Sequence, residues 1–418
     1  ASAYHWAELI ISTQLGKQTM KTLYFKLRAF VVTWLMRLLP RNPPIVFKGP
    51  DSSMTLCDQL AILGYTKVII VTDNFLASSG LLDGIKARLT ELKVEYAVFD
   101  GVLPDPAFDQ VQRGEAMLRT ERCQAVIGVG GGSVLDAAKM IAMLHTNPGT
   151  LDSFERLQPC KKIGLPVFAI PTTAGTGSEI TLAAVITDPV SHRKVPVVDS
   201  KMIPGYIALD PEIMKGMPPG ITAATGMDAL THAVESYLST ASTESTEAHA
   251  RGAISLIFKF LTRAYHDGSD MPARDGMAMA SFYAGAAFGK TSVGYVHGIA
   301  HQLGRVCGTP HGNANAMVLP EVLAAYGDCV HPRLADLAIL VGINEQGETT
   351  TELAGKFIQA IIDMRAELEL PLQPKELNAV DIPEIVDEAI SEAGSLYPVP
   401  RYMSPEELTI IVNRLRAA

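Results

Sequence analysis

Three histidines lie close together in one stretch of the sequence. His297 and His301 are four residues apart within Gly294-Tyr-Val-His-Gly-Ile-Ala-His-Gln-Leu-Gly304, and His311 follows a Gly-Thr-Pro turn. Side chains at positions i and i+4 of a helix lie on the same face, and the turn can bring His311 back beside them. The spacing therefore predicts a cluster of imidazoles.

Asp228 and His232 repeat the four-residue spacing upstream. Three neutral imidazoles and one carboxylate form a mixed nitrogen and oxygen ligand set that suits Zn(II) or Fe(II), and one more side chain is then left for proton transfer. For any one of these residues alone, a helix cap, a local ion pair or an ordinary helical position is the plainer interpretation. For the whole set we favour a metal site, because the spacing recurs on two helices that are otherwise apolar and rich in small residues.

Composition limits the classes of protein to consider. The 418 residues are enough for two domains of roughly 150 to 200 residues each. A net charge of −9 argues against nucleic-acid binding, which needs clustered positive charge. The five cysteines are odd in number and include no Cys-x-x-Cys pair, so we expect a reducing, cytoplasmic compartment and no disulfide framework.

Residues 1–42 differ in charge from the rest of the chain. They carry six basic residues and one acidic residue, Glu8. Apolar residues between positions 23 and 38 recur at helical spacing, which predicts an amphipathic helix. Its longest uncharged run, residues 29–36, is too short for a membrane span of roughly 20 residues. We favour a helix packed on this chain or on another subunit, and contact with a membrane surface is the alternative.

Strand and helix patterns alternate after the proline-rich segment at residues 40–44. Strands are predicted at 68–72, 94–99, 125–129, 167–170 and 206–209, and helices at 54–64, 80–92, 107–121 and 133–145. This alternation predicts a mostly parallel sheet covered on both faces. From about residue 211 onward only helical patterns remain. We therefore expect an N-terminal extension at 1–42, an α/β domain at 43–212 and an all-helical domain at 213–418.

Two glycine-containing loops follow predicted strands. They are Gly130-Gly-Gly-Ser133 and Pro171-Thr-Thr-Ala-Gly-Thr-Gly-Ser-Glu179. Glycines let a diphosphate approach the backbone, and the helix predicted to begin at Ser133, with Asp136 completing a capping box, presents free N–H groups. Such glycines form plain tight turns about as often, and the G-x-G-x-x-G pattern is incomplete. Two such loops in one domain nevertheless favour a nucleotide.

These motifs, together with Gly226-Met-Asp-Ala-Leu-Thr-His232, Val296-His-Gly-Ile-Ala-His-Gln-Leu-Gly304 and Pro310-His-Gly312, closely resemble those of the iron-containing (group III) alcohol dehydrogenases. That family includes lactaldehyde reductase and 1,3-propanediol dehydrogenase. The resemblance covers about nine tenths of the chain and leaves residues 1–42 without a counterpart. It implies a Rossmann-like, dinucleotide-binding domain at 43–212 and a metal-binding, catalytic domain at 213–418.

The resemblance also implies roles for single residues. The metal ligands would be Asp228, His232, His297 and His311. The metal would be Fe²⁺, with Zn²⁺ as the alternative, and His301 would relay a proton. The NAD contacts would be Asp73, Asp105, Gly131, Gly132, Ser133, Thr172, Thr173, Thr176 and Lys194.

Two of these cofactor contacts carry an alternative interpretation. Asp73 ends the first long strand, where a carboxylate can bind a ribose 2′-hydroxyl and favour NAD over NADP. A turn-forming aspartate is an equal alternative at that position. Asp105 stands where relatives often have asparagine, so its contact is the weaker of the two expectations.

The expected function is NAD-linked hydride transfer between nicotinamide and a small, metal-bound alcohol or aldehyde. The enzyme is expected to be a homodimer or a higher homo-oligomer. One alternative is a hydroxyacid-oxoacid transhydrogenase, or a lyase similar to dehydroquinate synthase, that keeps its NAD bound. A weaker alternative is a membrane-surface or assembly role of residues 1–42. Phe282, Tyr283 and Phe288 could line the substrate pocket, although core packing is the plainer interpretation.

Overall fold

A computed structural model describes Phe25 and residues 43–191 and 193–417. The helix predicted within residues 1–42 lies outside the described residues, apart from Phe25. The chain divides into two compact units. We call Pro40–Ala233 with His249–Gly289 the sheet unit, and Val234–Ala248 with Lys290–Ala418 the helical unit, which also includes Phe25.

The centre of the sheet unit is a six-stranded parallel sheet. Its strands are β1 (Ile45–Lys48), β2 (Lys67–Val71), β3 (Glu95–Phe99), β4 (Ala125–Gly130), β5 (Val167–Pro171) and β8 (Tyr206–Leu209). They are arranged in the order β1-β8-β5-β4-β2-β3, and every neighbouring pair is parallel. The parallel sheet predicted from the sequence is thus confirmed. The edge strand β1 and the antiparallel hairpin of β6 (Ala183–Thr187) and β7 (Lys194–Val198) had not been predicted.

Helices cover both faces of this sheet because strand side chains alternate between the faces. The helices along the first half of the unit are α1 (Ser52–Ile62), α2 (Asn74–Ser78), α3 (Asp83–Glu91), α4 (Phe108–Thr120) and α5 (Gly132–Thr146). Val68 and Ile70 pack with residues of α1 and α3 in one buried cluster. Ile69 and Val71 pack with residues of α4 and α5 in the other. Each face therefore has its own apolar core.

The remainder of the described chain is mainly helical, as predicted. Its helices are α6 (Pro211–Met214), α7 (Pro219–Leu238), α8 (Glu244–His266), α9 (Met271–Thr291), α10 (Tyr295–Cys307), α11 (His311–Tyr326), α12 (His331–Leu340), α13 (Thr350–Glu367), α14 (Ile382–Leu396) and α15 (Pro405–Ala417). Among the described residues, none of the helices is both long enough and apolar enough to cross a membrane. The predicted division at residue 212 stays a prediction, since α7, α8 and α9 each run from one compact unit into the other.

A buried lysine fastens the loop after β5 to helix α5 within the sheet unit. The side chain of Lys139 is fully buried, and its Nζ donates to the carbonyl oxygens of Ser178, at 2.9 Å, and Ala183, at 2.6 Å. Its charge is balanced by Asp136, whose Oδ1 lies 3.1 Å away. Burial lowers the pKa of Lys139, and the charge of Asp136 acts against this lowering. Burial likewise raises the pKa of the neighbouring Glu179 to about 7.

We expect Lys139→Met to lower the free energy of unfolding by ~3–5 kcal/mol, because it leaves two carbonyls and a carboxylate without their buried cation. Lys161→Met, at an exposed lysine of the same unit, should change it by less than about 0.5 kcal/mol. Urea unfolding followed by circular dichroism measures both. Equal midpoints for the two variants would show that Lys139 does not hold the loop.

Candidate functional site

His297 is held in the helical unit by a buried carboxylate. Its side chain is 2% exposed, and its Nδ1 lies 2.5 Å from Oε2 of Glu235. The other oxygen of Glu235 accepts the backbone N–H of Val296 at 2.8 Å. A Cβ on Gly294 would lie 2.6 Å from Glu235 Oε1, so the carboxylate fits only against a glycine. Because Nδ1 is bound to Glu235, Nε2 is the nitrogen of His297 that remains for a ligand.

His311 lies beside His297, with the ring centroids 5.4 Å apart, and the Nε2 atoms of both rings face the side chain of Asn315. The Nδ2 of the buried Asn315 is 3.2 Å from Nε2 of His297 and 3.3 Å from Nε2 of His311. An amide nitrogen donates, so each contact is a hydrogen bond only in the tautomer whose Nε2 carries no proton, and that tautomer is also the one that binds a metal through Nε2. The turn before His311 that was predicted to bring it back includes Gly308 at φ +61°, in the left-handed region that favours glycine.

His301 lies next to these two rings. Its ring is nearly parallel to that of His311, with an interplanar angle of 15° and a centroid distance of 5.3 Å, and its centroid is 5.9 Å from that of His297. Its Nδ1 is 2.7 Å from Oε1 of Glu392. The structure thus brings together the three histidines whose clustering was predicted, and each of His297 and His301 has a carboxylate on Nδ1.

Asp228 and His232 lie together on α7 in the sheet unit. Both are buried, and Asp228 Oδ2 is 3.9 Å from His232 Nδ1. The ring of Phe288 stacks on the imidazole of His232, with centroids 4.0 Å apart and planes 12° apart. Phe288, which was considered for the pocket wall, therefore packs against a predicted metal ligand. Tyr283 instead contacts the ring of His249 edge-on, at a centroid distance of 5.6 Å.

In the predicted diphosphate loop, Gly131 and Gly132 pack against the side chains of Thr173 and Thr176. We call these two glycines the glycine cradle. Gly131 is the N-cap of α5, and no side chain caps that helix. A Cβ on Gly131 would lie 3.3 Å from Thr173, and one on Gly132 would lie 2.8 Å from Cγ2 of Thr176. The glycines let these threonine side chains lie against the start of α5, whose first backbone N–H groups have no side-chain cap, and such an arrangement suits a diphosphate.

The capping box predicted from Ser133 to Asp136 is wrong. The helix begins one residue earlier, at Gly132, and it has no side-chain cap. The Asp136 carboxylate instead accepts from Ser178 Oγ at 2.5 Å and from the Val185 N–H at 2.9 Å. These distant partners outweigh the local cap that the sequence suggested.

Three adjacent strands place predicted cofactor residues together at the carboxyl ends of the strands. Asp73 follows β2, Gly131 follows β4, and Thr172 follows β5, whose last residue is paired with Gly130. The chain runs outward from β2 to β3 and then returns to place β4 on the other side of β2. In open α/β sheets, ligands bind outside the carboxyl ends of the strands at such a reversal.

Three of the predicted cofactor residues have partners within the sheet unit. Asp73 is the N-cap of α2, since its Oδ1 accepts the Leu76 N–H at 2.8 Å, and ribose binding stays a prediction. Asp105 adopts φ +54° and forms an exposed ion pair with Lys194, with Oδ1 2.7 Å from Nζ. Asparagine and aspartate are the residues that best tolerate this left-handed backbone.

Three side chains of the site were missed by sequence reasoning. Glu235 lies three residues after His232, and Asn315 lies four residues after His311 on the same face of α11, so helical spacing could have identified both. Glu392 is 91 residues from His301, and no spacing in the sequence connects the two.

Comparison with known proteins gives matches along nearly the whole chain. The family described as "Iron-containing alcohol dehydrogenase" matches residues 43–211, and "Fe-containing alcohol dehydrogenase family, C-terminal" matches residues 222–415. Alcohol dehydrogenase 4 of Schizosaccharomyces pombe is 40% identical over 82% of this chain and 81% of its own length.

Two examples illustrate the solved structures that share this fold. A 1,3-propanediol oxidoreductase has a TM-score of 0.87 and 36% identity, covering 90% of this chain and 100% of the other. A sulfoacetaldehyde reductase from Bifidobacterium kashiwanohense, solved in complex with NAD+, has a TM-score of 0.82 and 27% identity, covering 91% and 99% of the two chains. The fold class predicted from the sequence is confirmed by these structures.

We expect Gly132→Ala to weaken NADH binding by roughly tenfold, about 1.4 kcal/mol, because its Cβ displaces Thr176 into the cradle. Gly205→Ala is the matched control, since a Cβ there meets no atom within 4 Å. Fluorescence titration with NADH measures both affinities. If Gly132→Ala bound NADH as tightly as the control variant, the cradle would not be the diphosphate site.

Proposed function

Because the chain belongs to the iron-containing alcohol dehydrogenase family, we propose that Asp228, His232, His297 and His311 together hold one divalent metal at its active site. The chain is an NAD-linked oxidoreductase that interconverts an alcohol and an aldehyde, as its family does. The observation that carries the metal proposal is that Nε2 of His297 and Nε2 of His311 face a common position, since they lie 3.2 Å and 3.3 Å from the same atom, Nδ2 of Asn315.

The donor set fits such a metal. Asp228, His297 and His311 are residues of the types that could hold a metal ion together. His232 adds a third imidazole four residues after Asp228. Three nitrogens and one carboxylate oxygen suit both Fe²⁺ and Zn²⁺, and zinc binds such ligands more tightly in the usual affinity order. We propose Fe²⁺ as the working metal, chosen by its availability, with Zn²⁺ as the alternative.

NAD is the proposed redox cofactor. The glycine cradle, the threonines above it and Asp73 lie at the ends of three adjacent strands, where a dinucleotide would extend along the edge of the sheet. We propose that the backbone N–H groups of Gly131, Gly132 and Ser133 bind the diphosphate. Thr172, Thr173 and Thr176 would then contact the diphosphate and nicotinamide, and the free oxygen of Asp73 would accept from an adenosine ribose hydroxyl. Asp105 and Lys194, which form an ion pair with each other, would both contact NAD.

The chain's own residues would prepare the site for hydride transfer. When bound, the metal would polarise the substrate oxygen, and NAD would accept or return the hydride. Glu235 holds His297 by Nδ1, so that Nε2 stays directed at the metal position. Phe288 holds the plane of the His232 ring. His301, beside His311, would relay the proton that leaves or joins the substrate oxygen.

The proposal also covers the compartment, the oligomeric state and the substrate class of the enzyme. We propose a cytoplasmic homodimer or higher homo-oligomer acting on a small alcohol or aldehyde. The five cysteines are odd in number and include no Cys-x-x-Cys pair, which favours a reducing compartment. A role of residues 1–42 in assembly or at a membrane surface stays a prediction, because that segment, apart from Phe25, lies outside the described residues.

The function is tested by stripping the protein of metal and assaying it anaerobically with NAD and a panel of small primary alcohols and diols. Parallel samples receive Fe(II), Zn(II) or no metal. We expect NADH to appear only in the samples that receive metal. If no metal and no alcohol gave free NADH, the alternatives would be a transhydrogenase or a lyase that retains its nicotinamide, and bound NAD would then be sought on the protein.

We expect His297→Ala and His311→Ala to lose bound metal and activity together, because each removes a ligand atom. The fall in metal affinity should exceed the roughly 10- to 100-fold loss typical of removing a hydrogen-bonding partner of a ligand. Metal content after dialysis and turnover are measured side by side, with His266→Ala at an exposed histidine as the control. Retained metal with lost activity would remove the residue concerned from the ligand set.

We expect Asp73→Ser to reduce the preference for NAD over NADP by roughly tenfold, because the variant lacks the charge that repels a 2′-phosphate. Serine is as good an N-cap as aspartate, so α2 is preserved and the change isolates the charge. The ratio of kcat/KM for the two cofactors is the measurement. An unchanged ratio would leave Asp73 with its capping role alone.

A further inference from the structure

A partly buried carboxylate on α14, that of Glu392, holds the imidazole of His301 in the helical unit. Oε1 of Glu392 lies 2.7 Å from Nδ1 of His301 and also accepts the hydroxyl of Tyr397. The second carboxylate oxygen of Glu392 accepts from Nε2 of Gln302 at 3.4 Å. Gln302 directly follows His301 on α10. One carboxylate therefore joins the imidazole to two flanking polar side chains.

The charge states of this group favour a single tautomer of the imidazole. Burial acts to raise the pKa of Glu392, but the hydrogen bond and charge of His301, together with the Tyr397 hydroxyl, outweigh it and lower the pKa overall. Burial raises the pKa of Tyr397 well above its usual range, so its hydroxyl stays a donor. An ionised carboxylate only accepts, so the proton of a neutral His301 lies on Nδ1 and the lone pair on Nε2.

The orientation of the ring is fixed by the same contacts. An imidazole can exchange the places of its two nitrogens by rotating about χ2, and little energy distinguishes the two states in solution. Here the bond to Glu392 holds Nδ1, and stacking at 15° to the His311 ring sets the plane. Nδ1 is therefore committed to Glu392, and Nε2 is the nitrogen available to a substrate or solvent proton.

We propose that Glu392, supported by Tyr397, is a positioning residue that fixes the tautomer and ring orientation of His301 for proton transfer. The proposal rests on the proposed function, in which His301 relays the proton. In this role Glu392 acts through His301, whose Nδ1 it holds. It gives the proton-transferring histidine the arrangement that Glu235 gives to the metal-facing His297, namely a carboxylate on Nδ1.

The test is a double-mutant cycle in the metal-loaded enzyme, with all 418 residues of the chain present. Glu392→Gln keeps the size of the side chain, but an amide donates as readily as it accepts and no longer selects one tautomer. We expect it to lower kcat by roughly 10- to 100-fold with little change in KM. In a His301→Ala background the same substitution should have no further effect, since the residue it acts through is absent.

Three further measurements separate positioning from a general structural role. Metal content and NADH affinity of Glu392→Gln should equal those of the wild type. ¹⁵N NMR of the zinc-loaded protein should show His301 protonated on Nδ1 in the wild type and a mixture of tautomers in the variant. Tyr397→Phe should give a smaller fall in kcat in the same direction. Glu388→Gln, at an exposed position one turn earlier on α14, is the control and should leave kcat unchanged.

The proposal is overturned if Glu392→Gln lowers kcat equally with and without His301, or if it lowers metal content, because either result places its effect on the fold or the metal. It is also overturned if kcat stays unchanged or if the wild type shows no Nδ1 proton. A wild-type enzyme that makes NADH keeps the proposed function intact under each of these results. Failure of the proposed function would instead appear as wild-type protein that makes no NADH with any metal.

Discussion

The hydrogen bond between a buried carboxylate and an imidazole Nδ1 is the interaction on which the candidate site depends. A histidine has two ring nitrogens and two neutral tautomers, and a metal ligand must offer a lone pair at a defined nitrogen. The 2.5 Å contact between Glu235 and His297 makes that choice. Because Glu235 also accepts the Val296 N–H, the same carboxylate fixes the first turn of α10, and the helix holds the ligand in place.

The cofactor side of the site depends on excluded volume. The cradle at the start of α5 exists because Gly131 and Gly132 have no Cβ that would occupy the space beneath Thr173 and Thr176. The position of Thr176 depends on the loop after β5, and that loop is fastened to α5 by the buried Lys139. The buried cation of Lys139 therefore helps to shape the space that the cofactor would occupy.

The features that the sequence predicted are those governed by local periodicity. Apolar runs separated by helical patterns predicted the parallel sheet, and four-residue spacing predicted the pairing of Asp228 with His232 and of His297 with His301. The strand β1 was missed because it is a four-residue edge strand that is exposed at both ends and lacks a buried apolar run. Glu392 was missed because its partner is 91 residues away. The capping box failed for the same reason, since the partners of Asp136 are 42 and 49 residues away.

The central claim is that Asp228, His232, His297 and His311 bind one metal, and anomalous diffraction from crystals of protein reconstituted with Fe(II) or Zn(II) tests it most directly. Data collected at the absorption edge of the metal locate the ion independently of any assumed ligand. The account predicts a single peak at bonding distance from the Asp228 carboxylate and from one nitrogen of each of the three imidazoles, with Nε2 as the bonded atom of His297. A peak at another set of side chains, or one bonded to His301 in place of His311, would contradict it.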